Sequence, residues 1–185
     1  VAVARRGTSP AKVVRISGRS EGAVRRTREA LDELVNSGRA IYGVTTGVGA
    51  LQDRYVPPED VLALQRNLVR SHSAGVGLEL PEETVRACML ARANTLARGV
   101  SGIGLRTLRL LVEMLNRRVH PVIPSQGSVG ASGDLAPLAH MALVLAGLGE
   151  AWYEGERLPG AEALCRAGLA PVELQAKEAM ALING

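Results

Sequence analysis

Residues 135–148 are apolar on most helical faces, and this stretch constrains the fold more than any other part of the chain. A helix that is apolar nearly all round must lie in an interior, with other secondary structure packed around it. The stretch is too short to span a bilayer, which takes about 20 apolar residues. Pro137 is compatible with a helix only near its first turn. We therefore predict a buried helix from about residue 134 to residue 148.

The rest of the chain predicts more helices and little β-structure. Capping residues, prolines or first-turn acidic residues precede apolar residues at helical spacing in several places. The predicted helices begin at Ser20, Pro57, Pro81 and Ser101, and two more cover residues 161–168 and 172–183. We also predict a short strand at residues 13–16, an extended segment leading into a loop at residues 40–49, and a hairpin around Glu154 and Gly155.

The composition is that of a globular protein. With 185 residues, 46% hydrophobic and 22% charged, the chain can bury one core or a core and part of another. It has neither a membrane-spanning run nor the apolar core of a signal peptide, so we expect a soluble, cytoplasmic protein with no membrane partner. Cys88 and Cys165 lie far apart in predicted helices, which indicates small apolar residues rather than a disulfide framework.

Charge and histidine spacing argue against two further classes of function. The net charge is +4, but the arginines are scattered and aromatic residues make up only 2% of the chain, so we do not expect nucleic-acid binding. His72, His120 and His140 show no spacing typical of metal ligands, and we expect no metal site.

Residues 127–134 read Gly-Ser-Val-Gly-Ala-Ser-Gly-Asp and contain a tripeptide with unusual chemical potential. Since Gly133 has no Cβ, its nitrogen can approach the Ala131 carbonyl carbon and close a ring. Loss of water from that ring and from Ser132 would leave an electron-poor alkene conjugated to an imidazolone. No ordinary side chain provides such an electrophile.

The same eight residues also fit an ordinary glycine-rich loop at the start of a helix. Ser132 or Asp134 would then be the N-cap, and the free amides could hold an anion. A phosphate-binding loop of the Walker type is excluded because no lysine follows the glycines, and a Gly-x-Ser-x-Gly nucleophile elbow is excluded because Asp134 stands two residues after Ser132. The octapeptide alone leaves both readings open.

Four separated motifs occur in the same order as in one enzyme family. They are Tyr42-Gly43-Val44-Thr45-Thr46-Gly47, the run from Leu64 to Gly75 that contains Arg70-Ser71-His72-Ser73-Ala74-Gly75, the stretch 127–140, and the terminal Ala181-Leu182-Ile183-Asn184-Gly185. Together they resemble the aromatic amino acid ammonia-lyases and aminomutases over essentially the whole chain. Each motif alone is weak, but four in order are specific.

The resemblance implies a prosthetic group and two catalytic residues. In that family Ala-Ser-Gly cyclises by itself to 4-methylideneimidazol-5-one, and the matching residues are Ala131, Ser132 and Gly133; no external cofactor is implied. Tyr42 matches the base that removes the β-proton of the substrate, which requires donors or positive charge around its phenol. Asn184 matches the asparagine that orients the ring.

The residues alone allow plainer roles for the same positions. Tyr42 has the pattern of an aromatic residue packed at a strand end. Asn184 followed by Gly185 has the pattern of a helix C-cap. His72 has the pattern of a histidine satisfied at a helix end, whereas the resemblance places it where it would contact the substrate's ring.

Within the family, the chain is most similar to the enzymes that act on histidine. Ser71-His72, Ser101-Gly102-Ile103 and Ala176-Lys177-Glu178 support that similarity. The implied reaction is elimination of ammonia from L-histidine to give urocanate. Some tyrosine 2,3-aminomutases share the motif at residues 70–75, so tyrosine or phenylalanine lyases and aminomutases remain alternatives. Val48 and Met180 depart from the residues usual in the family.

The resemblance also implies the architecture. We predict a mainly α fold that is the N-terminal part of the ammonia-lyase fold, with an α+β cap region at residues 1–99 and the start of a long helical bundle at residues 100–185. The family's enzymes are homotetramers with active sites built from several subunits. We therefore expect the N-terminal portion of a longer enzyme, inactive alone, that takes a small amino acid as substrate. A different class of function is a non-catalytic helical fragment whose loop stays uncyclised.

Overall fold

Seven α-helices dominate the described part of the chain. The computed structural model describes residues 13–49, 52–128 and 135–184. The helices are α1 (Gly18–Asn36), α2 (Val61–His72), α3 (Glu82–Leu96), α4 (Leu105–Asn116), α5 (Leu135–Leu145), α6 (Gly160–Arg166) and α7 (Glu178–Ile183), and a 3-10 turn at Pro58–Asp60 leads into α2. The predicted mainly α fold is confirmed.

Five short strands form two small antiparallel sheets. They are β1 (Val76–Glu79), β2 (His120–Pro121), β3 (Pro124–Gln126), β4 (Glu150–Tyr153) and β5 (Glu156–Pro159). β1 pairs with β3, and β2, β4 and β5 form the second sheet in that order. The predicted hairpin is confirmed as β4 and β5, and its turn places Glu154 and Gly155 at positive φ.

Helix α5 lies at the centre of the fold. It packs against α2, α4, α6 and α7 and against strands β2 and β3. Its small and medium side chains, among them Ala139, Met141, Ala142 and Leu145, are fully buried. The interior position predicted from its composition is therefore confirmed.

Helix α5 ends earlier than predicted. The last helical residue is Leu145, and the chain then turns at Gly147, which has a φ of +74°. The amide of Leu148 donates to the Leu143 carbonyl at 2.8 Å, as expected after a left-handed glycine at a helix C-terminus. Gly147 was the sequence signal for this boundary.

The predicted strand at residues 13–16 is wrong. Val14 has no neighbouring strand in the described structure and pairs instead with a side-chain amide: its N–H donates to Asn116 Oδ1 at 2.9 Å, and Asn116 Nδ2 donates to its carbonyl at 3.1 Å. The β-branched residues are extended, but the hydrogen bonds come from the end of α4. Residues 41–45 likewise form turns rather than an extended segment, and only Thr46 bridges to Tyr55.

The start of α4 is capped from elsewhere in the chain. Ser101 is not its N-cap; Gly104 occupies that position and offers no side chain. The amide of Gly104 donates instead to Glu178 Oε1 at 2.8 Å. A carboxylate at a helix N-terminus is favoured by the partial positive charge there.

The final helix is shorter in the structure than its sequence pattern predicts. Residues 172–177 are not helical, and α7 begins only after Lys177, which has a φ of +68°. A left-handed residue cannot continue a right-handed helix, so the helix has to start after it. The Lys177 Nζ donates to the Ser101 carbonyl at 2.7 Å.

One core joins the two predicted regions. Buried residues from Val24 in α1 to Ile183 in α7 form a single apolar cluster, and α3 packs directly on α4. The division at residue 99 stays a prediction. Among the described residues, no helix combines the length and the apolar character that a membrane span requires.

Candidate active site

A cavity of about 300 Å³ brings Tyr42 and Asn184 together from the first and the fourth motif. The other polar residues that line it are Arg92, Thr95, Ser101 and Lys177. Tyr42 is 58% exposed, so its phenol is open to a ligand rather than packed in a core. The plainer reading of Tyr42 as a buried aromatic residue at a strand end is thereby wrong.

Local hydrogen bonds shape the turn that carries Tyr42. Thr45 is buried, its Oγ1 donates to the Arg39 carbonyl at 2.6 Å, and it accepts the Ile41 amide at 2.8 Å. Gly43 follows Tyr42 with a φ of +65°, a conformation that side-chain-bearing residues seldom adopt. The turn thus directs Tyr42 outwards.

The two departures from the family pattern meet beside this turn. A Cβ added to Gly43 would lie 3.5 Å from Val48 Cγ1 and 3.9 Å from Met180 Cγ. Met180 also lines the cavity. Met180 therefore shapes the cavity directly, whereas Val48 lies beside the turn without lining the cavity.

Asn184 occupies the C-cap position of α7. Its backbone N–H donates to the Met180 carbonyl at 3.1 Å, and the residue is exposed. The plainer reading of Asn184 as a C-cap is correct for its backbone. It does not conflict with a role for the side-chain amide, because the residue lines the cavity.

Two cations, Arg92 and Lys177, line the cavity together with Tyr42. Burial lowers the pKa of the Arg92 guanidinium, and burial together with the nearby Arg28 charge lowers the pKa of the Lys177 ammonium. The sequence reasoning missed both residues. Arg92 had a signal, since it falls at helical spacing with Met89 and Leu96 on the buried face of α3, where a cation is rare.

His72 lies at the end of α2 and is not among the residues that line this cavity. Its Nδ1 is 2.8 Å from the Leu68 carbonyl oxygen and 3.2 Å from Ser71 Oγ. A carbonyl only accepts, so Nδ1 carries a proton, and in the neutral ring Nε2 is then the acceptor nitrogen. The helix-end hydrogen bond expected from the plainer reading is present.

The segment after His72 is attached to the start of the third motif. The Gly75 amide donates to His140 Nε2 at 3.1 Å, and burial lowers the pKa of the His140 imidazole. Gly127 has a φ of +148°, and a Cβ there would lie 3.0 Å from Gly75 Cα and 3.1 Å from Ala136 Cβ. Only a glycine fits this contact between the two motifs.

The second motif also contacts the helix in which the fourth motif begins. Gln65 is fully buried in α2, and its Oε1 accepts the Ala179 amide of α7 at 3.0 Å. Ala131, Ser132, Gly133 and the neighbouring Asp134 lie outside the described residues. Contacts of the described residues therefore join the motif at residues 64–75 to the motif at residues 127–140 and to helix α7, in which the motif at residues 181–185 begins.

Comparison with known proteins identifies the family. The family model described as aromatic amino acid lyase matches residues 1–185. The chain belongs to the aromatic amino acid lyase family. The family predicted from the four motifs is thus confirmed.

Relatives of this aromatic amino acid lyase chain include enzymes with different names. The histidine ammonia-lyase of Natranaerobius thermophilus is 54% identical over 172 residues, which are 93% of this chain and 34% of that protein. The solved Pantoea agglomerans phenylalanine aminomutase matches with a TM-score of 0.88 and 41% identity, covering 94% of this chain and 33% of that one. The crystal structure of histidine ammonia-lyase from Trypanosoma cruzi gives 0.88 and 35%, covering 99% and 36%.

The lyase chain spans about a third of the length of these relatives. The high TM-scores confirm that it has the fold of the corresponding part of an ammonia-lyase.

Proposed function

We propose that the full-length protein containing this chain is a histidine ammonia-lyase, of which this chain is the N-terminal portion. It would convert L-histidine into urocanate and ammonia. The observation that carries the proposal is the cavity shared by Tyr42 and Asn184, with Arg92 and Lys177 in its wall. The choice of histidine is supported by the 54% identity to the Natranaerobius thermophilus enzyme.

We propose that Ala131, Ser132 and Gly133 form 4-methylideneimidazol-5-one. The tight contact of Gly127 with Gly75 supports this, because it fixes the start of the loop where a Cβ would not fit. When formed, the ring supplies an electrophile that draws electron density from the substrate's amine. The described residues then have three tasks: to bind the substrate, to orient it and to accept a proton.

Tyr42 is the proposed base. Its Oη takes the β-proton of the substrate, the electrons of that C–H bond form the carbon–carbon double bond, and the carbon–nitrogen bond breaks to release ammonia. The exposure of Tyr42 leaves its Oη accessible to a substrate in the cavity, as a general base must be to reach the proton that it removes.

Asn184 is the proposed orienting residue opposite Tyr42. Its amide both donates and accepts hydrogen bonds and does not titrate, so it can hold a reactive group without a competing proton equilibrium. Its position at the end of α7 places it in the wall of the cavity.

His72 is the proposed contact for the substrate's imidazole. Because Nδ1 is engaged by the Leu68 carbonyl, Nε2 is the nitrogen that accepts a hydrogen bond from an N–H group of the substrate. In the described residues His72 lies apart from the Tyr42 cavity, so this role needs a substrate that reaches between the two positions or a further part of the enzyme.

We also propose a cytoplasmic homotetramer with active sites completed by other subunits. Large apolar residues stay exposed in this chain, among them Leu78 at 85% and Val100 at 74%. Val100 lines the cavity itself, so a covering surface there would close the site.

The test is turnover by the full-length protein together with evidence of the ring. We expect histidine to give urocanate, measured by its ultraviolet absorbance, and the intact mass to fall short by two water molecules. Ser132→Ala should abolish both the mass deficit and the activity. Absence of both signals in the unmodified protein would favour a non-catalytic helical protein with an uncyclised loop.

An aminomutase is the second candidate. It is favoured by the match to the Pantoea agglomerans phenylalanine aminomutase, which is more identical to this chain than the Trypanosoma cruzi lyase. Parallel assays with histidine, tyrosine and phenylalanine separate the candidates: β-amino acid products, or unsaturated acids from tyrosine or phenylalanine alone, contradict our first choice.

A further inference from the structure

Helix α7 carries Asn184 but is too short to be stable alone. It has six residues, and isolated helices shorter than about 12 residues are marginal in water. The first four amides and the last four carbonyls of a helix lack partners within it. The amides at the start of α7 and the carbonyls at its end thus need partners from outside the helix.

Gln65 provides a hydrogen-bond acceptor for an amide at the N-terminal end of α7. Its Oε1 accepts the amide of Ala179, which is one of those first amides, at 3.0 Å. Gln65 lies on α2 and has no exposed surface. The contact joins two residues that are 114 positions apart in sequence, so it depends on the packed core.

Arg92 provides a hydrogen-bond donor for a carbonyl at the C-terminal end of the same helix. Its Nη2 donates to the carbonyl of Ala181, which is one of the last four carbonyls. Arg92 is only 7% exposed and also lines the cavity that Tyr42 and Asn184 share. A hydrogen bond from a charged donor is stronger than one between neutral groups.

We propose that Arg92 and Gln65 are positioning residues that hold α7 from its two ends and so place Asn184 opposite Tyr42. The inference rests on the proposed ammonia-lyase function. Without Arg92, the Ala181 carbonyl loses its donor, and the last turn of α7 can shift. A displacement of about 1 Å at a reacting centre can lower a rate about 100-fold.

Arg86 provides a matched control within the same helix. It is 9% exposed, and its Nη1 donates to the Leu115 carbonyl at 3.1 Å, near the end of α4. Burial lowers the pKa of both guanidinium groups. Arg92→Met and Arg86→Met each remove a buried guanidinium from a helix end, but only the first acts on the helix that carries Asn184.

The experiment measures kcat, KM and the ring absorbance of the full-length variants with histidine. We expect Arg92→Met to lower kcat about 10- to 100-fold with a smaller change in KM and with the ring absorbance retained. Arg86→Met should keep kcat within about twofold. Gln65→Met should lower kcat in the same way as Arg92→Met, and Arg92→Lys should recover part of the loss because an ammonium can still donate to the carbonyl.

A double-mutant cycle tests whether Arg92 acts through Asn184. In an Asn184→Ala background, Arg92→Met should lower kcat by less than twofold further, because the group it places is already missing. Additive losses would overturn the inference, as would equal kcat values for Arg92→Met and Arg86→Met. If Arg92→Met does not fold, Arg92→Lys decides: a kcat lowered at least about threefold supports the inference, and an unchanged kcat contradicts it.

The inference and the proposed function fail in different ways. An unmodified protein with neither ring absorbance nor histidine turnover contradicts the proposed function. An active unmodified protein whose Arg92 and Arg86 variants behave alike contradicts only the positioning role.

Discussion

The cavity has two walls, the turn that carries Tyr42 and helix α7. They differ in how far apart in sequence the hydrogen-bonded residues are. The Tyr42 turn is stabilised by contacts among residues 39–56, such as those of Thr45 with Arg39 and Ile41. The α7 wall is held by contacts that span at least 74 residues of sequence. The first wall depends on its own short segment, and the second depends on the whole core.

Because of this difference, we expect substitutions in the two walls to have different effects on the stability of the fold. A substitution in the Tyr42 turn should change what the cavity does while leaving the rest of the fold unaffected. A substitution in the α7 wall should destabilise the fold, because partners in α2, in α3 and at the start of α4 lose hydrogen bonds with it.

The largest effect is expected for Tyr42→Phe in the full-length protein. Removal of the proposed base should lower kcat about 10²- to 10⁴-fold. The free energy of unfolding should change by less than about 0.5 kcal/mol, because the hydrogen bond that Oη accepts from the Gly49 amide is long, at 3.4 Å, and lies at the surface. Tyr55→Phe is the control, since Tyr55 is exposed beside the same turn and should keep full activity. More than a tenth of the activity remaining in Tyr42→Phe would contradict its role.

The largest loss of stability is expected for Glu178→Ala, in the α7 wall. Glu178 is 2% exposed and accepts the amides of Gly104 and Gln175, each at 2.8 Å. Loss of two charged hydrogen bonds should lower the free energy of unfolding by about 3 kcal/mol, measured by urea denaturation. Glu173→Ala, at an exposed position on the same segment, should cost less than about 0.5 kcal/mol. Equal losses would show that the α7 wall is not held by Glu178.

A smaller loss is expected for Thr45→Val, in the Tyr42 wall. The substitution keeps the shape but leaves the Ile41 amide and the Arg39 carbonyl without their partner. Because Arg39 is exposed and Ile41 half-buried, water can replace part of the loss, and the cost should be about 1 kcal/mol. Hydrogen exchange should accelerate at the Ile41 amide and stay unchanged at the Ala179 amide. Faster exchange in α7 would mean that the two walls are coupled.

The smallest effect concerns pH and the segment that follows His72. Burial lowers the pKa of His140, which accepts the Gly75 amide, so the unfolded chain binds more protons than the folded one. The contribution of His140 to the free energy of unfolding is therefore present above a pH of about 6.5, the pKa of a histidine in the unfolded chain. It should decrease as the pH falls below that value. The decrease between pH 8 and pH 5.5 should be smaller in His140→Gln than in the unmodified protein, measured by thermal unfolding. The same decrease in both proteins would exclude His140 as its source.

The sequence predicts those parts of the fold whose signals are local. The composition of α5 predicts its burial, helical spacing predicts α1 to α4, and the Glu154–Gly155 pair predicts the hairpin. Other predictions fail where a distant residue supplies the hydrogen bond. Asn116 replaces a strand partner for Val14, and Glu178 replaces Ser101 at the start of α4.

Some residues of the candidate site can likewise be predicted from the sequence, and others cannot. Resemblance to a family points to Tyr42 and Asn184, and the fold brings them into one cavity. Gln65 and Arg92 could not be assigned from spacing alone, because what each one contacts is a backbone group at least 89 positions away. A buried cation on an apolar helix face is the signal that would have singled out Arg92.

Helix α5 packs against four helices and two strands, and this limits how its sequence can change over evolution. Deleting or inserting one residue within it would rotate everything beyond that point by about 100° and turn each buried side chain towards the wrong neighbour. Homologues can therefore exchange side chains of similar volume here, but length variation has to be confined to the loops outside.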